Sequence, residues 1–274
     1  MKFSVFGAAG FIGSRLVKHL NEGGHAVTGY SRGQHPLPGA SLGHVFYAIG
    51  MTGDYRGRPL ETAQAHVSLL ADHFSKPAFD SFTYLSSTRV YQRSDRTAED
   101  APLTVEPRDV GDIYNLTKLT GEALCLAQAQ DTVRVVRVSN VIDPTFRSPT
   151  FLSMLVREVA DRGSVMIRQA GTSAKDYLPV DNLLRMLVNV ATSGRDRVYN
   201  LAAGSQTTHA TIAELLTSEF QARVTFCPDA PEYTFPLIDV SRAKSEFQLP
   251  DIDAPAAIRQ ALQNFKQLKH ERNP

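Results

Sequence analysis

The chain has 274 residues, 42% of them hydrophobic, and its 29 basic side chains nearly balance its 28 acidic ones. This length is enough for one large domain, or for a core domain with a smaller lobe. A net charge of +1 gives no electrostatic reason to expect nucleic acid or an anionic membrane as a partner.

Cysteines, histidines and apolar runs exclude further classes of protein. Cys125 and Cys227 lie far apart and form no CxxC pair, and the eight histidines form no metal motif such as HExxH. We therefore expect no bound metal, and two buried thiols in a reducing cytosol, with a disulfide between them as the alternative. No stretch reaches the roughly 18 apolar residues that a membrane helix needs. These features predict a soluble cytoplasmic protein.

Short apolar strands alternate with helical patterns in the first part of the chain. Strands are predicted at residues 3–6, 26–30, 44–49, 82–86 and 133–138. Apolar residues at helical spacing predict a first helix from Phe11 to a stop at Gly23, and further helices at about 59–75 and 113–130. Such alternation is typical of a doubly wound α/β fold, in which helices cover both faces of a parallel sheet.

The pattern loosens after residue 145. Helices are predicted at about 149–162, 180–193 and 209–220 and from about 254, with short strands at 165–167, 198–201 and 223–226. We expect a core domain at residues 1–145 and a smaller lobe at residues 146–274. Residues from about 175 to 205 are expected to return to the main sheet.

Three glycines follow the first strand directly and open the first helix, in the segment Gly7-Ala8-Ala9-Gly10-Phe11-Ile12-Gly13. Glycine permits a tight turn there and lets the backbone approach a pyrophosphate, while the helix N-terminus offers free N–H groups to the anion. The predicted cofactor contacts are Gly7, Ala9, Gly10, Phe11, Ile12 and Gly13. A glycine-rich strand–helix turn without a ligand is the alternative.

Tyr114 and Lys118 are four residues apart on a predicted helix, so both side chains can point into one cleft. A cation beside a phenol stabilises the phenolate and lowers its pKa, which suits general acid–base chemistry. The alternative is an ordinary pair on the helix surface. A second cluster of polar side chains, Ser86, Ser87 and Thr88, stands where a buried strand ends, which is where open α/β sheets bind their ligands.

Several motifs follow one another in the order and spacing of a known family. The glycine turn has the spacing GxxGxxG, and Tyr114 to Lys118 has the form YxxxK. Similarities to the SSxxVYG, RxxNVxGP, RDYxxVxD and VYN segments of the family occur at residues 86–92, 137–144, 175–181 and 198–200. From residue 3 to about 247 the chain resembles the extended short-chain dehydrogenases/reductases, a group of sugar-nucleotide epimerases, dehydratases and ketoreductases.

This resemblance implies a Rossmann-like fold, with a dinucleotide-binding domain at 1–145 and a substrate lobe at 146–274. It also implies that Tyr114 is the general acid–base and that Lys118 holds the nicotinamide ribose. Matching on Val90-Tyr91 gives Ser87 the role of the catalytic hydroxyl that orients the reacting oxygen. The implied substrate contacts are Ser87, Thr88, Tyr114, Asn140 and Lys175.

The chain departs from the family in several places, which include the absence of its R-P-G-D segment near residues 228–235. The segment between the second strand and the strand at 44–49 is too short for the usual additional strand, which predicts a sheet shortened at one edge. His66 replaces an asparagine and either faces the active site or packs. Lys175 replaces an arginine that often binds pyrophosphate, which puts a nucleotide-linked substrate in doubt. Thr88-Arg89 replaces the acidic pair of the 4,6-dehydratases, so we do not expect dehydration.

We therefore expect an enzyme that transfers hydride between a nicotinamide cofactor and a secondary alcohol or ketone of a sugar-like, small-molecule substrate. A ketoreductase is preferred, and a sugar epimerase that retains its cofactor is the alternative. A dinucleotide-sensing regulator without catalysis is a hypothesis of another class. The resemblance further implies a homodimer formed through the helices at about 59–75 and 113–130.

The end of the second strand predicts NADP(H), with NAD(H) as the alternative. Family members that prefer NAD carry an acidic residue there, which binds the ribose hydroxyls. In this chain the position is Ser31, followed by Arg32. A serine can donate to a 2′-phosphate, and an arginine can bind it by charge-assisted hydrogen bonds. The alternative is an exposed arginine in a flexible loop.

Overall fold

The computed structural model describes residues 1–37, 39–74 and 78–272, and the side chains of residues 270–272 are excluded from the description. Residue 75, the expected end of the second predicted helix, lies outside the described residues. The strands are β1 (Lys2–Phe6), β2 (Ala26–Tyr30), β3 (His44–Tyr47), β4 (Ser81–Ser87), β5 (Val133–Val138), β6 (Asn140–Ile142), β7 (Ser164–Ile167), β8 (Ala174–Lys175), β9 (Tyr177–Pro179), β10 (Val198–Leu201), β11 (Thr207–Thr208) and β12 (Arg223–Phe226).

The helices are α1 (Phe11–Glu22), α2 (Pro59–Ala63), α3 (Leu69–Phe74), α4 (Ile113–Leu126), α5 (Phe151–Arg162), α6 (Val180–Ser193), α7 (His209–Phe220), α8 (Ser241–Phe247) and α9 (Ala254–Arg272). A π-helical turn (Gln64–Ser68) joins α2 to α3, so the helix predicted from residue 59 is not regular throughout. Short 3₁₀ turns lie at Thr88–Tyr91 and Val110–Asp112.

Six parallel strands form the main sheet, in the order β10-β5-β4-β3-β1-β2. The predicted α/β fold with a doubly wound parallel sheet is confirmed. β2 lies at the edge of this sheet, where the family normally has another strand, so the predicted shortening is also confirmed. β10 comes from beyond residue 145 and pairs with β5, which brings a late segment of the chain back to the main sheet.

Helices cover both faces of this sheet, which explains why its central strands are apolar on both sides. On one face, Leu16 of α1 and Leu187 of α6 pack in one core cluster with Phe3, Val5 and Phe46. On the other face, Leu70 of α3 and Cys125 of α4 belong to a cluster with Tyr47, Phe82 and Tyr84.

The C-terminal part has a core of its own. α5, α7 and α9 pack together through Leu152, Val156, Leu216, Ile258 and Leu262, all of them buried. The parallel pair of β7 with β12 lies beside these helices. A second pair, β6 with β9, continues from the end of β5 and links this lobe to the main sheet. The division of the chain into two domains at residue 145 stays a prediction.

The cysteines form no disulfide: Cys125 is buried and Cys227 is partly buried. None of the helices in the described part of the chain has the length and apolar character needed to cross a membrane. Within residues 1–37, 39–74 and 78–272, no group of three or more histidine, cysteine, aspartate or glutamate side chains is arranged to hold a metal ion.

α4 lies very close to Tyr84 and His66 at Gly121. A Cβ atom added there would overlap the Tyr84 hydroxyl and lie 2.9 Å from the backbone oxygen of His66. We expect Gly121→Ala to lower the free energy of unfolding by about 1–3 kcal/mol, because overpacking outweighs the roughly 1 kcal/mol that alanine gains within a helix. Urea denaturation measures this change.

Gly23→Ala is the matched control. Gly23 follows α1 with φ of −75°, and an added Cβ would meet nothing closer than 3.4 Å. Its free energy of unfolding should change by no more than about 0.5 kcal/mol. Equal effects at the two glycines would contradict the close approach at Gly121.

Candidate active site

A cavity of about 380 Å³ opens at the carboxyl ends of β3, β4 and β5, against the C-terminal lobe. This is where open parallel sheets bind their ligands. Many of the residues predicted at the site line it: Gly10, Phe11, Ile12, Ser87, Thr88, Tyr114, Lys118, Asn140 and Lys175. Gly7, Ala9, Gly13, Ser31 and Arg32 are not among the lining residues.

The glycine turn has the geometry of a backbone cradle. Gly7 has φ of +82°, and a Cβ atom there would lie 2.8 Å from the backbone oxygen of Ala48. Gly13 packs against the backbone of Gly7, which leaves no space for a side chain. α1 begins with Gly10 as its N-cap, and no side chain caps it. The first N–H groups of α1 are therefore available to an anion, as a pyrophosphate requires.

Tyr114 is 95% buried, and its side chain and that of Ser87 both line the cavity. Burial raises the pKa of Tyr114 above its ordinary value, while the nearby Ser87 hydroxyl and the charge of Arg89 act in the opposite direction. The pKa of Tyr114 is thus raised, whereas the sequence predicted that Lys118 would lower it. At neutral pH the phenol is therefore protonated and able to donate.

Lys118 is buried beside Tyr114 but is engaged elsewhere. Its ammonium donates a hydrogen bond of 2.8 Å to the backbone oxygen of Leu85 and stands 6.0 Å from the centre of the Tyr114 ring. Burial lowers the pKa of Lys118 to about 7, against the opposing effect of Glu122. This distance and this pKa explain why Lys118 does not dominate the ionisation of Tyr114.

A buried ion pair holds α4 against the sheet. Arg137 of β5 donates to both carboxylate oxygens of Glu122, with the shortest contact at 2.7 Å, and both side chains are about 95% buried. Ser86 donates to the same carboxylate at 2.5 Å, and Arg137 donates to the Tyr91 hydroxyl at 2.6 Å. Burial acts to lower the pKa of Arg137, but the bonds to Glu122 outweigh it and raise that pKa.

His66 does not line the cavity. It is fully buried, and its Nε2 accepts a hydrogen bond of 3.2 Å from the backbone N–H of Met51. Its Nδ1 therefore carries the hydrogen and donates to the Thr117 hydroxyl at 2.8 Å. Burial and the charge of Lys118 lower the pKa of His66 to about 2, so it is neutral. Of the two alternatives, the packing role is the one observed, with the His66 ring set edge-on against Tyr114.

Sequence reasoning missed several residues of the cavity, among them Tyr55, Arg89, Phe151 and Asp176. The Arg89 guanidinium stands 5.5 Å from the centre of the Tyr55 ring, and the Lys175 ammonium stands 4.4 Å from that of Phe151. Asp176 is the one carboxylic acid among the described lining residues, and its oxygens accept hydrogen bonds from the backbone N–H groups of residues 203–205. The replacement of an acidic pair by Thr88-Arg89 was the one sequence signal for Arg89.

Of the remaining predicted residues, Asn140 lies in the cavity, whereas Ser31 and Arg32 lie outside it. Asn140 lines the cavity, and its amide donates to the backbone oxygen of Asp176 at 2.9 Å. Ser31 and Arg32 follow the end of β2, beyond the glycine turn. The Ser31 N–H donates to the side chain of Gln34 at 2.7 Å, and Arg32 is exposed.

The sheet, the uncapped helix N-terminus and the cavity at the strand ends define a dinucleotide-binding α/β protein. The model of the NAD dependent epimerase/dehydratase family matches residues 3–66 and 43–202. The chain belongs to this family and is an enzyme of it, as the motifs indicated.

Individual proteins are similar over most of the chain. The dTDP-glucose 4,6-dehydratase of Streptomyces griseus is 28% identical over 255 residues, which cover 77% of this chain and 76% of that protein. The structure of MoeE5 in complex with UDP-glucose and NAD has a TM-score of 0.80 at 23% identity and covers 98% of this chain and 100% of its own. RMD from Pseudomonas aeruginosa, complexed with NADPH, has a TM-score of 0.77 at 19% identity, with coverage of 97% and 100%. At these identities the structures support the fold alone.

Removing one partner of the buried ion pair should be strongly destabilising. Glu122→Gln leaves the Arg137 charge without its counterion, and such changes cost about 3–5 kcal/mol. Urea denaturation at neutral pH measures the free energy of unfolding.

Glu22→Gln is the control, because Glu22 forms an exposed pair with Lys18 at 3.7 Å. That variant should lose no more than about 0.5 kcal/mol. If Glu122→Gln is as mild as the control, the buried pair does not hold α4 in place.

Proposed function

We propose that this enzyme transfers hydride between a nicotinamide dinucleotide and a secondary alcohol or ketone of a sugar-like substrate, with ketone reduction as the preferred direction. The observation that carries the proposal is that Ser87, Tyr114 and Lys118 line one cavity, together with Gly10 at the end of the glycine turn. The chain's own residues fit a dinucleotide, because the cradle at Gly7 and the uncapped start of α1 suit a pyrophosphate.

The nicotinamide, when bound, supplies or accepts the hydride. Tyr114 would donate its proton to the substrate oxygen as the carbonyl becomes an alcohol, and Ser87 would hold the same oxygen by a hydrogen bond. The raised pKa of Tyr114 supports this direction, because a phenol that stays protonated is ready to donate. Lys118 would contact the nicotinamide ribose, and Thr88, Asn140 and Lys175 would contact the substrate.

Elimination of water is not part of the proposal, although one relative is a dehydratase. Elimination needs an acid beside the leaving hydroxyl. Thr88 and Arg89 stand at the positions where the sequence motif of dehydratases has acids. Asp176 is a poor substitute, since three backbone N–H groups occupy its carboxylate.

An epimerase is the second candidate, because oxidation and re-reduction at one carbon would use the same tyrosine, serine and lysine. The family contains epimerases by its description. Release of the nicotinamide from purified protein on dilution supports the reductase, whereas retention through purification supports the epimerase. A nucleotide-linked sugar as substrate, a cytoplasmic location and a homodimer through the helices at about 59–75 and 113–130 complete the proposal.

Tyr114→Phe tests the catalytic assignment. It removes only the hydroxyl, so turnover should fall by about 10²–10⁴-fold, while NAD(P)H binding, followed by nicotinamide fluorescence, should persist. Turnover is followed as nicotinamide absorbance with a panel of nucleotide-linked keto sugars and hexoses.

Tyr55→Phe is the matched control, because the Tyr55 ring lies 5.2 Å from that of Tyr114 in the same cavity. Its turnover should stay within about tenfold of the native rate. Near-normal turnover by Tyr114→Phe would contradict the assignment. Cofactor binding with no turnover on any substrate would favour the noncatalytic regulator.

NADP(H) is the proposed cofactor, with NAD(H) as the alternative. Arg32 is exposed next to Ser31 at the end of the edge strand, where a 2′-phosphate could reach both. Calorimetric titration should therefore give tighter binding of NADP(H) than of NAD(H). Arg32→Ala should reduce the ratio of the two affinities, by about tenfold for each 1.4 kcal/mol of NADP(H) binding free energy that is lost.

Arg108→Ala serves as the control, because Arg108 has 93% of its side chain exposed in the loop that precedes α4. This variant should keep the native cofactor preference. Equal affinities in the native protein, or a preference that survives the loss of Arg32, would contradict the NADP assignment.

A further inference from the structure

Arg89 is a cation inside the cavity that the proposed reaction does not use. It lies in the 3₁₀ turn that follows β4, two residues after Ser87. Its guanidinium is set over the Tyr55 ring, and its Nε is buried without a hydrogen-bond partner among the described residues. A buried donor without a partner is unfavourable unless a ligand supplies the acceptor.

Lys175 brings a second cation into the same cavity from the C-terminal lobe. Its ammonium lies against the Phe151 ring, and it forms no ion pair with any described residue. Burial, together with the nearby positive charge of Arg89, lowers the pKa of Lys175 to about 8. The two cations therefore act on each other unfavourably across the cavity.

No protein carboxylate offsets these charges within the described part of the cavity. Asp176 is directed away toward the backbone N–H groups of Ala203 and Gly204, at 2.9 and 2.8 Å. Two like charges in a partly desolvated space destabilise a fold unless an anion is bound between them. The arrangement therefore calls for an anion from outside the chain.

We propose that Arg89 and Lys175 together bind a carboxylate on the sugar ring of the substrate, close to the carbon that reacts. This inference rests on the proposed function only in taking the substrate to be sugar-like. It makes the substrate class an acidic sugar, such as a hexuronate or a keto derivative of one.

Position favours a ring carboxylate over a diphosphate. Arg89 is connected to the reacting centre through Tyr55, whose ring centre is 5.2 Å from that of Tyr114. A diphosphate attached at the anomeric carbon is separated from a reacting ring carbon by several bonds, whereas a ring carboxylate is next to it. The planar fork of a guanidinium also matches a carboxylate in a bidentate geometry.

The test compares UDP-glucuronate with UDP-glucose, which differ only in a carboxylate in place of a hydroxymethyl group. Calorimetric titration of the full chain, saturated with NADP⁺, should give at least about tenfold tighter binding of UDP-glucuronate. Arg89→Gln and Lys175→Gln should each reduce this preference severalfold, and the double variant should abolish it. In each variant, UDP-glucose affinity should fall by a smaller factor than UDP-glucuronate affinity.

Two further variants keep the test decisive. Arg89→Lys retains a charge and should keep part of the preference, which a general folding defect would not allow. Arg168→Gln removes an exposed arginine of the C-terminal lobe and should keep all of it. Equal affinities for the two ligands, an unchanged preference in the variants, or no binding of either ligand would overturn the proposal.

A third ligand separates the two sources of negative charge. If Arg89→Gln weakens the binding of UDP alone as much as that of UDP-glucuronate, the two cations bind the diphosphate. That result would overturn the proposal that they bind a ring carboxylate. Since the readout is binding, it is independent of turnover. If the protein binds UDP-glucuronate more tightly than UDP-glucose but catalyses no hydride transfer, the proposed function is contradicted and the carboxylate subsite is supported.

Discussion

The ion pair between Glu122 and Arg137 is the contact on which the geometry of the candidate active site depends. Both charges are buried, so neither is tolerated in the core without the other. Glu122 follows Tyr114 by eight residues and Lys118 by four, so all three lie along one face of α4. Because Arg137 belongs to β5, the pair fixes the position of α4 along the sheet and hence how deeply Tyr114 enters the cavity.

The same pair also ties together parts of the chain that are distant in sequence. Ser86 reaches the carboxylate from β4, and Tyr91 reaches the guanidinium from the following turn. The Tyr91 hydroxyl in turn donates to Asn200 of β10 at 2.9 Å. Ser87, Tyr114 and Lys118 all precede position 145, but the polar contacts behind them include a strand from the second half of the chain.

Local sequence was sufficient to predict the parts of the site that local geometry determines. The spacing of Gly7, Gly10 and Gly13 requires a tight turn at the start of a helix, and a separation of four residues puts Tyr114 and Lys118 on one helix face. The sheet followed from the alternation of apolar strands and helices, and its shortened edge followed from the brief segment before His44.

Long-range contacts determine the other features of the site. Such contacts cannot be derived from a single sequence before its fold is known. Arg137 in the buried strand Val133–Val138 was a signal for an acidic partner, but the identity of that partner, Glu122, depended on how α4 docks. The direction of the Arg89 side chain depended on Tyr55, 34 residues earlier. The bond from Lys118 to Leu85 and the burial that raises the pKa of Tyr114 also depend on how distant parts of the chain pack.

The burial of neutral His66 makes the fold sensitive to acid at a pH far above its own titration. Burial and the Lys118 charge lower its pKa to about 2 in the folded protein, whereas an unfolded histidine titrates near 6.5. Below pH 6.5 the histidine binds a proton in the unfolded chain but not in the folded one. The free energy of unfolding therefore declines by up to about 1.4 kcal/mol per pH unit. His209, whose pKa burial and the Lys175 charge lower to about 4, adds a second such proton. Proton uptake by the denatured chain thus favours unfolding in mild acid, although both histidines stay neutral in the folded protein at that pH.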